Sequence, residues 1–402
     1  MLCVCSKNNT DSNDGSQSLF DEQKASLVLT TKQGDMVADN NAFAFSLLNK
    51  ISQVEEKSFV FSPLSATYAL GMLSQAAGGE TREELVKTLG IGTSQEDINQ
   101  LCLNLLYRGL KQDKGVTINN ANLVLASDEI PIYDSYKTAV ADYYNALTVS
   151  MDMSDSKKTL DYLNSWISNQ TRGGIPQMLQ DIYGHLFLVN AMYFNGEWKD
   201  RFPVADIKDM LFYISSSEYK QEKMLTRLGD LFFGESDSAI MVRIPYGNGT
   251  YAMTLILPNQ EINLDDYLAA FDSTEWATLT EKNGRMEKVD LAFPKFETTT
   301  KLSLKDILFE MGIKSAFIPG GQADYSNMTS SGDLYVERVL QQSTIKVDEK
   351  GTVASAATVV EMKETIAPDA RGIYHFLANR PFLYCISDTE TDAIYFIGAY
   401  KG

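Results

Sequence analysis

The segment Val347-Asp348-Glu349-Lys350-Gly351-Thr352-Val353-Ala354-Ser355-Ala356-Ala357-Thr358-Val359-Val360-Glu361-Met362 restricts the fold of this chain more than any other. A strand-like run ends in an acidic pair and a glycine, and the residues Thr352–Thr358 that follow are all small or β-branched. In an extended chain alternate residues share a face. One face then carries Thr352, Ala354, Ala356, Thr358, Val360 and Met362, and the other Val353, Ser355, Ala357, Val359, Glu361 and Lys363. The first face is small or apolar throughout. A strand that slides between two others and lies over a packed core needs such a face, because a bulky side chain overpacks and a charge is buried unpaired. The pattern alone also fits an ordinary buried strand or a small-residue helix. The next residues, Lys363-Glu364-Thr365-Ile366-Ala367-Pro368-Asp369-Ala370-Arg371-Gly372, are polar and breaker-containing and read as exposed. An insertable strand thus runs directly into a protruding loop.

The rest of the chain reads as one α+β domain. With 44% hydrophobic and 22% charged residues it has ample material for a core. Residues 6–35 read as a mobile lead-in, with Ser26–Thr30 as an edge strand. Folding proper is expected from near Asn40, where Phe43, Leu47, Leu48 and Ile51 share one helical face. Ser58–Phe61 reads as a short buried strand. Ser62-Pro63 supplies an N-cap hydroxyl and a first-turn proline for a buried helix over Leu64–Ala77, with Gly78-Gly79 as its stop. Thr81-Arg82-Glu83-Glu84 has the form of a capping box for a helix closed by Gly90, and Ser303–Asp306 opens another that ends at Met311-Gly312. Strand-like runs cover Asn120–Leu125, Leu186–Phe194, Ala239–Pro245, Ala252–Leu257, Val289–Phe293, Gln342–Val347 and Ala393–Ala399. Helices gather early and strands late, which is α+β rather than βαβ repetition. No linker divides the chain, so the expectation is a lead-in over residues 1–38 and a single domain over 39–402.

Catalytic chemistry finds little support. The only histidines, His185 and His375, stand in apolar sequence and in no nucleophile motif, and read as structural. Patterns for a nucleophile elbow, a zinc helix, a phosphate loop or a dinucleotide fold are absent, and Gly247-Asn248-Gly249 is a turn between strands. Carboxylate pairs such as Asp265-Asp266 or Glu390 and Asp392 arise by chance in so acidic a chain. The net charge of −18 argues against binding a nucleic-acid backbone, and no apolar run reaches the ~20 residues of a membrane span. Cys102 and Cys385 read as small buried hydrophobes rather than metal ligands. Leu2-Cys3-Val4-Cys5 and the polar residues after it resemble a bacterial lipoprotein cleavage site with its tether. Cys5 is therefore the candidate lipidation site, although a full export signal would need a longer apolar segment before it.

The segment from Glu349 to Gly372 resembles the hinge and reactive loop of the serpin family, and the likeness extends from about Ala42 to Lys401. Phe61-Ser62-Pro63-Leu64-Ser65 is similar to the family's buried helix start, beneath the point where the central sheet parts. Leu188–Trp198, which contains Asn190, resembles its third central strand, with Trp198 where loop entry begins. Phe293-Pro294-Lys295-Phe296, Met311-Gly312-Ile313, Ala323–Ser326 and Arg380–Tyr384 match further signatures in order. Two positions depart from the pattern. Gln341 stands where many members have histidine, and its amide can still donate and accept; Val353 replaces a common acidic residue on the outward face.

The resemblance implies a serpin fold: a large, mostly antiparallel central sheet, further sheets, and an exposed reactive loop over about 349–372. It implies a monomeric, extracellular or cell-surface inhibitor, bacterial in type, with no cofactor or metal, whose partner is a serine protease, with cysteine proteases as further targets. The protease cleaves the loop, forms an acyl-enzyme and is carried across the inhibitor as the loop inserts. A loop of ~14 residues moves its tip by roughly 46 Å, nearly the ~54 Å diameter expected of such a domain. The family's spacing from Gly351 puts the reactive bond at Thr365-Ile366, suited to elastase-like or subtilisin-like enzymes. Lys363-Glu364 is the alternative for a trypsin-like pocket. The hinge comprises Glu349, Gly351, Thr352, Val353, Ala354, Ser355, Ala356, Ala357 and Thr358. Ser62, Ser65, Asn190, Trp198 and Gln341 form the region that must part. A carrier or storage protein on the same fold is the competing class, against which the small hinge face speaks.

Overall fold

The computed structural model describes residues 29–92, 94–110, 114–182, 184, 186–282, 284–352 and 372–402. In chain order the elements are α1 (Thr31–Ser52), β1 (Phe59–Phe61), α2 (Pro63–Ala76), α3 (Gly79–Leu89), α4 (Gln95–Leu110), β2 (Val116–Ser127), α5 (Asp134–Tyr144), β3 (Ala146–Met151) and α6 (Ser156–Gln170). Then come β4 (Leu186–Glu197), β5 (Lys208–Tyr213), β6 (Tyr219–Glu235), β7 (Ala239–Pro245), β8 (Tyr251–Pro258), α7 (Leu264–Ala270), α8 (Ser273–Ala277), β9 (Arg285–Pro294), β10 (Phe296–Ser303) and α9 (Lys305–Met311). The chain closes with β11 (Leu340–Val347), β12 (Gly351–Thr352), β13 (Tyr374–Leu377), β14 (Phe382–Asp388) and β15 (Ile394–Tyr400).

The strands form two sheets. A six-stranded sheet runs β10-β11-β12-β4-β2-β3, antiparallel except for the β2–β3 pair. A nine-stranded sheet runs β1-β15-β14-β8-β7-β6-β9-β13, with β5 paired to β6. Between them lies α2, buried along nearly its whole length and packed on β4 and β15. Its apolar circumference forces that position, since no side of it gains from facing water. Ser62 caps it as expected, its hydroxyl accepting the Ser65 N–H at 3.1 Å. The other face of the six-stranded sheet carries α6. There Leu123, Leu125, Val189 and Ala191 meet Leu163, Ile167, Ile175, Met178 and Leu179 in a separate core. Alternate residues of β4, Met192 and Phe194, point into the main core on the α2 side.

Several local expectations change. The first helix begins at Thr31, inside the stretch read as a lead-in. Thr30 and Gln33 form a reciprocal capping box that a polar composition conceals. Thr30 is thus a cap and not part of a strand; residues 26–28 lie outside the described residues. The capping box read at Thr81–Glu84 does not form. Here α3 starts at Gly79, Thr81 is buried and accepts the Asp324 N–H at 3.0 Å, and Glu84 accepts from the Lys314 and Ser315 backbone. Tertiary partners outcompete the local motif. The N-cap of α9 is Leu304, while Ser303 ends β10.

Candidate functional site

The centre of the six-stranded sheet is a seam between β4 and β11, bridged at its top, among the described residues, by the two residues of β12. Thr352 pairs with Val347 on one side and Gly196 on the other, and Gly351 pairs with Glu197. The turn that brings β12 back along β11 is built by Asp348, whose carboxylate accepts the N–H groups of Lys350 (2.8 Å) and Gly351 (3.3 Å). Gly351 is required by space. A Cβ there would meet the Gly196 carbonyl oxygen at 2.1 Å and the Glu197 Cα at 2.7 Å.

The environment of this hinge is aromatic and tightly bonded. Thr352 is buried with its hydroxyl 2.6 Å from that of Tyr246. Burial pushes the Tyr246 phenol well above its ordinary range, so the pair stays neutral. Trp198 stacks on Tyr246 with ring centres 4.4 Å apart. Its indole N–H donates to the Asp348 carbonyl at 2.8 Å, and its backbone N–H to the Lys350 carbonyl at 2.9 Å. The Phe202 N–H donates to the Glu349 carbonyl at 3.0 Å. Lys295 reaches the Glu349 carboxylate at 2.5 Å, and this hydrogen bond holds the carboxyl below its usual value.

Below the hinge the seam encloses a cavity of about 340 Å³. Residues 186–190 form one wall, residues 333–341 the other, and Ser65, Ala66, Ala69, Leu70 and Leu73 of α2 the floor. The Asn190 and Gln341 carboxamides, one on each wall, are bonded away from each other. Asn190 donates to the side-chain oxygens of Asn120 (2.6 Å) and Asn122 (2.5 Å) on β2. Gln341 accepts the Ser62 N–H at 3.0 Å and donates to the Ser62 carbonyl at 2.8 Å, clamping the start of α2. Among the described residues no hydrogen bond joins Asn190 to Gln341, and the Asn190 carboxamide oxygen has no partner. The link between the walls at this level runs instead through Ser62, whose hydroxyl donates to Met192 Sδ of β4 at 3.2 Å while its backbone holds Gln341.

Ser62, Ser65, Asn190, Trp198, Gln341, Glu349, Gly351 and Thr352, expected from sequence to lie near the parting sheet, are brought to one seam. Val353–Thr358, both proposed reactive bonds, Cys5 and His185 lie outside the described residues. Three residues that complete the hinge pocket, Tyr246, Phe202 and Lys295, had no role in the sequence reading. Lys295 stood in a quoted motif, but nothing local marks Tyr246, which is distant in the chain. His375 is corrected: it is exposed on the edge strand β13, with Nδ1 3.0 Å from Asp290, because its neighbours' apolar faces turn inward. Cys102 and Cys385 are buried and free. Asp265 and Asp392 are held by Lys401 (2.9 Å) and Arg243 (2.8 Å). Among the described residues there is no cluster suited to a metal and no helix long and apolar enough to cross a membrane.

The family model described as Serpin (serine protease inhibitor) matches residues 38–401. Human Serpin B4 is 30% identical over 388 residues, covering 90% of this chain and 98% of that protein. Iripin-3 of the tick Ixodes ricinus is 28% identical, covering 92% and 96%. The native crystal structure of the thermophilic serpin tengpin superimposes with a TM-score of 0.84 at 27% identity, covering 94% and 95%. Human thyroxine-binding globulin with thyroxine shares the fold, with a TM-score of 0.83 at 24% identity over 92% and 99%. Relatives that match over nine tenths of the chain include proteins of Macaca fascicularis, Ixodes ricinus and Methanosarcina acetivorans, so the bacterial attribution gains no support from them.

Proposed function

The chain belongs to the serpin family, a family of protease inhibitors, and we propose that it traps serine proteases by inserting its cleaved loop between β4 and β11. The observation that carries this reading is β12 itself. Gly351 and Thr352 already occupy the top of the seam in strand register, with Thr352 seated against Tyr246. Continuing that register downward, each even-numbered residue faces α2, and these are the small or apolar ones. In that register a strand added to the seam would bring its position 358 between Asn190 and Gln341, and a hydroxyl there, as threonine carries, would suit the unpartnered Asn190 oxygen. The inward face fits the cavity floor of alanine, serine and leucine.

In this reading Thr365-Ile366 is the bond for elastase-like or subtilisin-like proteases and Lys363-Glu364 the alternative for trypsin-like ones. Cleavage at the latter shortens the inserted strand by ~7 Å and favours release. In the same reading the protein acts as a monomer outside the cell, with lipid on Cys5 as its membrane anchor. The test is incubation with a pancreatic-type elastase and, separately, with trypsin. A covalent complex on a denaturing gel, with cleavage mapped by mass after Thr365 or Lys363, is the expected result. Clean cleavage without complex by every serine and cysteine protease tried would refute it.

A further inference from the structure

Met192 belongs to two places at once. Its Sδ accepts the Ser62 hydroxyl at 3.2 Å, and the same side chain lines a second cavity, of about 320 Å³, on the α2 side of the six-stranded sheet. This cavity lies between α2, α4 and the end of α5. Solvent reaches its rim at Ala141, Asp142 and Asn145, all of them exposed.

Two buried polar groups of the residues lining this cavity are without a hydrogen bond, Asn120 Nδ2 and Tyr395 Oη. The phenols of Tyr68 and Tyr251 adjoin them but fall outside hydrogen-bond geometry. Asn120 is the cross-strand partner of Met192 in the β2–β4 register, and side chains so paired have Cβ atoms about 4.5–5.5 Å apart. Tyr395 is only 2% exposed. Buried donors left without an acceptor are costly and rare. A thioether is too weak an acceptor to serve them, whereas a sulfoxide oxygen is a strong one.

We propose that Met192 is a modification site, oxidised to the sulfoxide by a hydroperoxide that enters this cavity, and that the new oxygen accepts from Asn120 and Tyr395. The sulfur lone pair attacks the outer peroxide oxygen, so that an S–O bond forms as the O–O bond breaks. The sulfur loses two electrons, and the proton of the attacked oxygen passes to the departing one, which leaves as water or an alcohol. Asp142 at the rim repels anions, so the oxidant is a neutral hydroperoxide rather than an anionic one. Methionine sulfoxide reductases reverse the change. The oxidised side chain is drawn toward β2 and away from Ser62, and the link between the seam walls is lost. What this does to protease trapping rests on the insertion reading above; the modification and the loosened link do not.

The test treats the native full-length protein with hydrogen peroxide at about pH 7 and maps oxygen uptake by peptide mass. Met192 is expected to gain one oxygen about tenfold faster than Met72, Met253 and Met328, which are fully buried and line neither cavity. Met192→Leu, treated in parallel, subtracts the effect of the other methionines. Against that control, oxidation should lower the folded-to-unfolded ratio of wild type in urea by less than about fivefold. For Asn120→Leu/Tyr395→Phe the loss should be about 5- to 150-fold, because the oxygen is then buried without a donor. Tyr395→Phe alone removes no hydrogen bond from the reduced protein and should show an intermediate loss, which carries the test where the double variant does not fold. Hydrogen exchange at the Ser62 N–H should quicken about two- to fivefold in oxidised wild type and in untreated Met192→Leu, since both lose the bond from Ser62. Oxidation of Met192 no faster than of the three buried methionines, equal losses in wild type and the donor-less variants, or unchanged Ser62 exchange would each overturn the proposal. No protease enters these measurements, so failure to form a covalent complex with elastase or trypsin would count against the inhibitory reading alone.

Discussion

Replacing Gly351 by alanine should empty the top of the seam. The new Cβ would stand 2.1 Å from the Gly196 carbonyl oxygen and 2.7 Å from the Glu197 Cα, both backbone atoms of the strand β4. Neither can rotate away as a side chain could. Relief needs a displacement of about 1 Å between strands normally ~4.8 Å apart, which pulls Lys350 and Asp348 from their bonds to Trp198. Overpacking of this kind costs about 1–3 kcal/mol, lowering the population with β12 seated by about 5- to 150-fold. In a background carrying Trp166→Phe and Trp276→Phe, Trp198 becomes the sole reporter. Its emission should shift to the red as the indole loses Asp348 and gains water, while far-ultraviolet circular dichroism stays unchanged. More inhibitor should also be cleaved per protease trapped, because insertion then begins from an unseated strand. Unchanged Trp198 emission and unchanged stoichiometry would refute the reasoning that β12 is seated by close backbone approach.

Gln341→Leu leaves the Ser62 N–H unpaired beneath the sheet, while the Ser62 carbonyl keeps the Ala66 N–H at 3.3 Å; a loss of about 1–3 kcal/mol is expected. Urea unfolding with an unchanged m-value reads it, and a loss below ~1 kcal/mol would contradict the clamp. The Glu349 carboxyl is depressed by Lys295, so the stability it contributes is present above the unfolded value near ~4.3 and is lost as pH falls through the folded one. Wild type should therefore exceed Glu349→Gln in thermal midpoint at pH 7, by no more than ~1 kcal/mol in stability, and the gap should close in acid. Burial pushes the Cys385 thiol up to about 12 and raises that of Cys102 as well. Iodoacetamide at pH 8 should modify neither in the native protein and both in guanidinium, as peptide mass mapping would show.

Sequence reasoning recovered the parts whose cause is local. The buried circumference of α2, the Ser62 cap, the Gly247–Gly249 turn and the inward face of Thr352 each follow from side-chain type and period. What it missed depends on partners distant in the chain. The strand β6 carries its apolar residues in two short clusters, Met224-Leu225 and Leu231–Phe233, separated by Arg227 and Asp230 and preceded by Lys220, Glu222 and Lys223, so no sustained alternation announces it. The diversion of Thr81 and Glu84 toward residues 314–324 has no local signal either. The same holds for Tyr246 under Thr352. These contacts exist because the fold brings two surfaces together, and a motif scan sees only one of them.

The three-residue turn from β11 to β12 sets the kinetics of anything that follows. Most strand additions must first close a loop, and that entropy is lost before any pairing repays it. Here the closure is complete, and each further residue pairs with a sequence neighbour in a hairpin already begun. Hairpins grow in about 1–10 μs, whereas enzymes typically turn over in milliseconds to a second. In the proposed mechanism zipping would therefore not be the slow event. The parting of the two walls is what hydrolysis of the acyl-enzyme would race against.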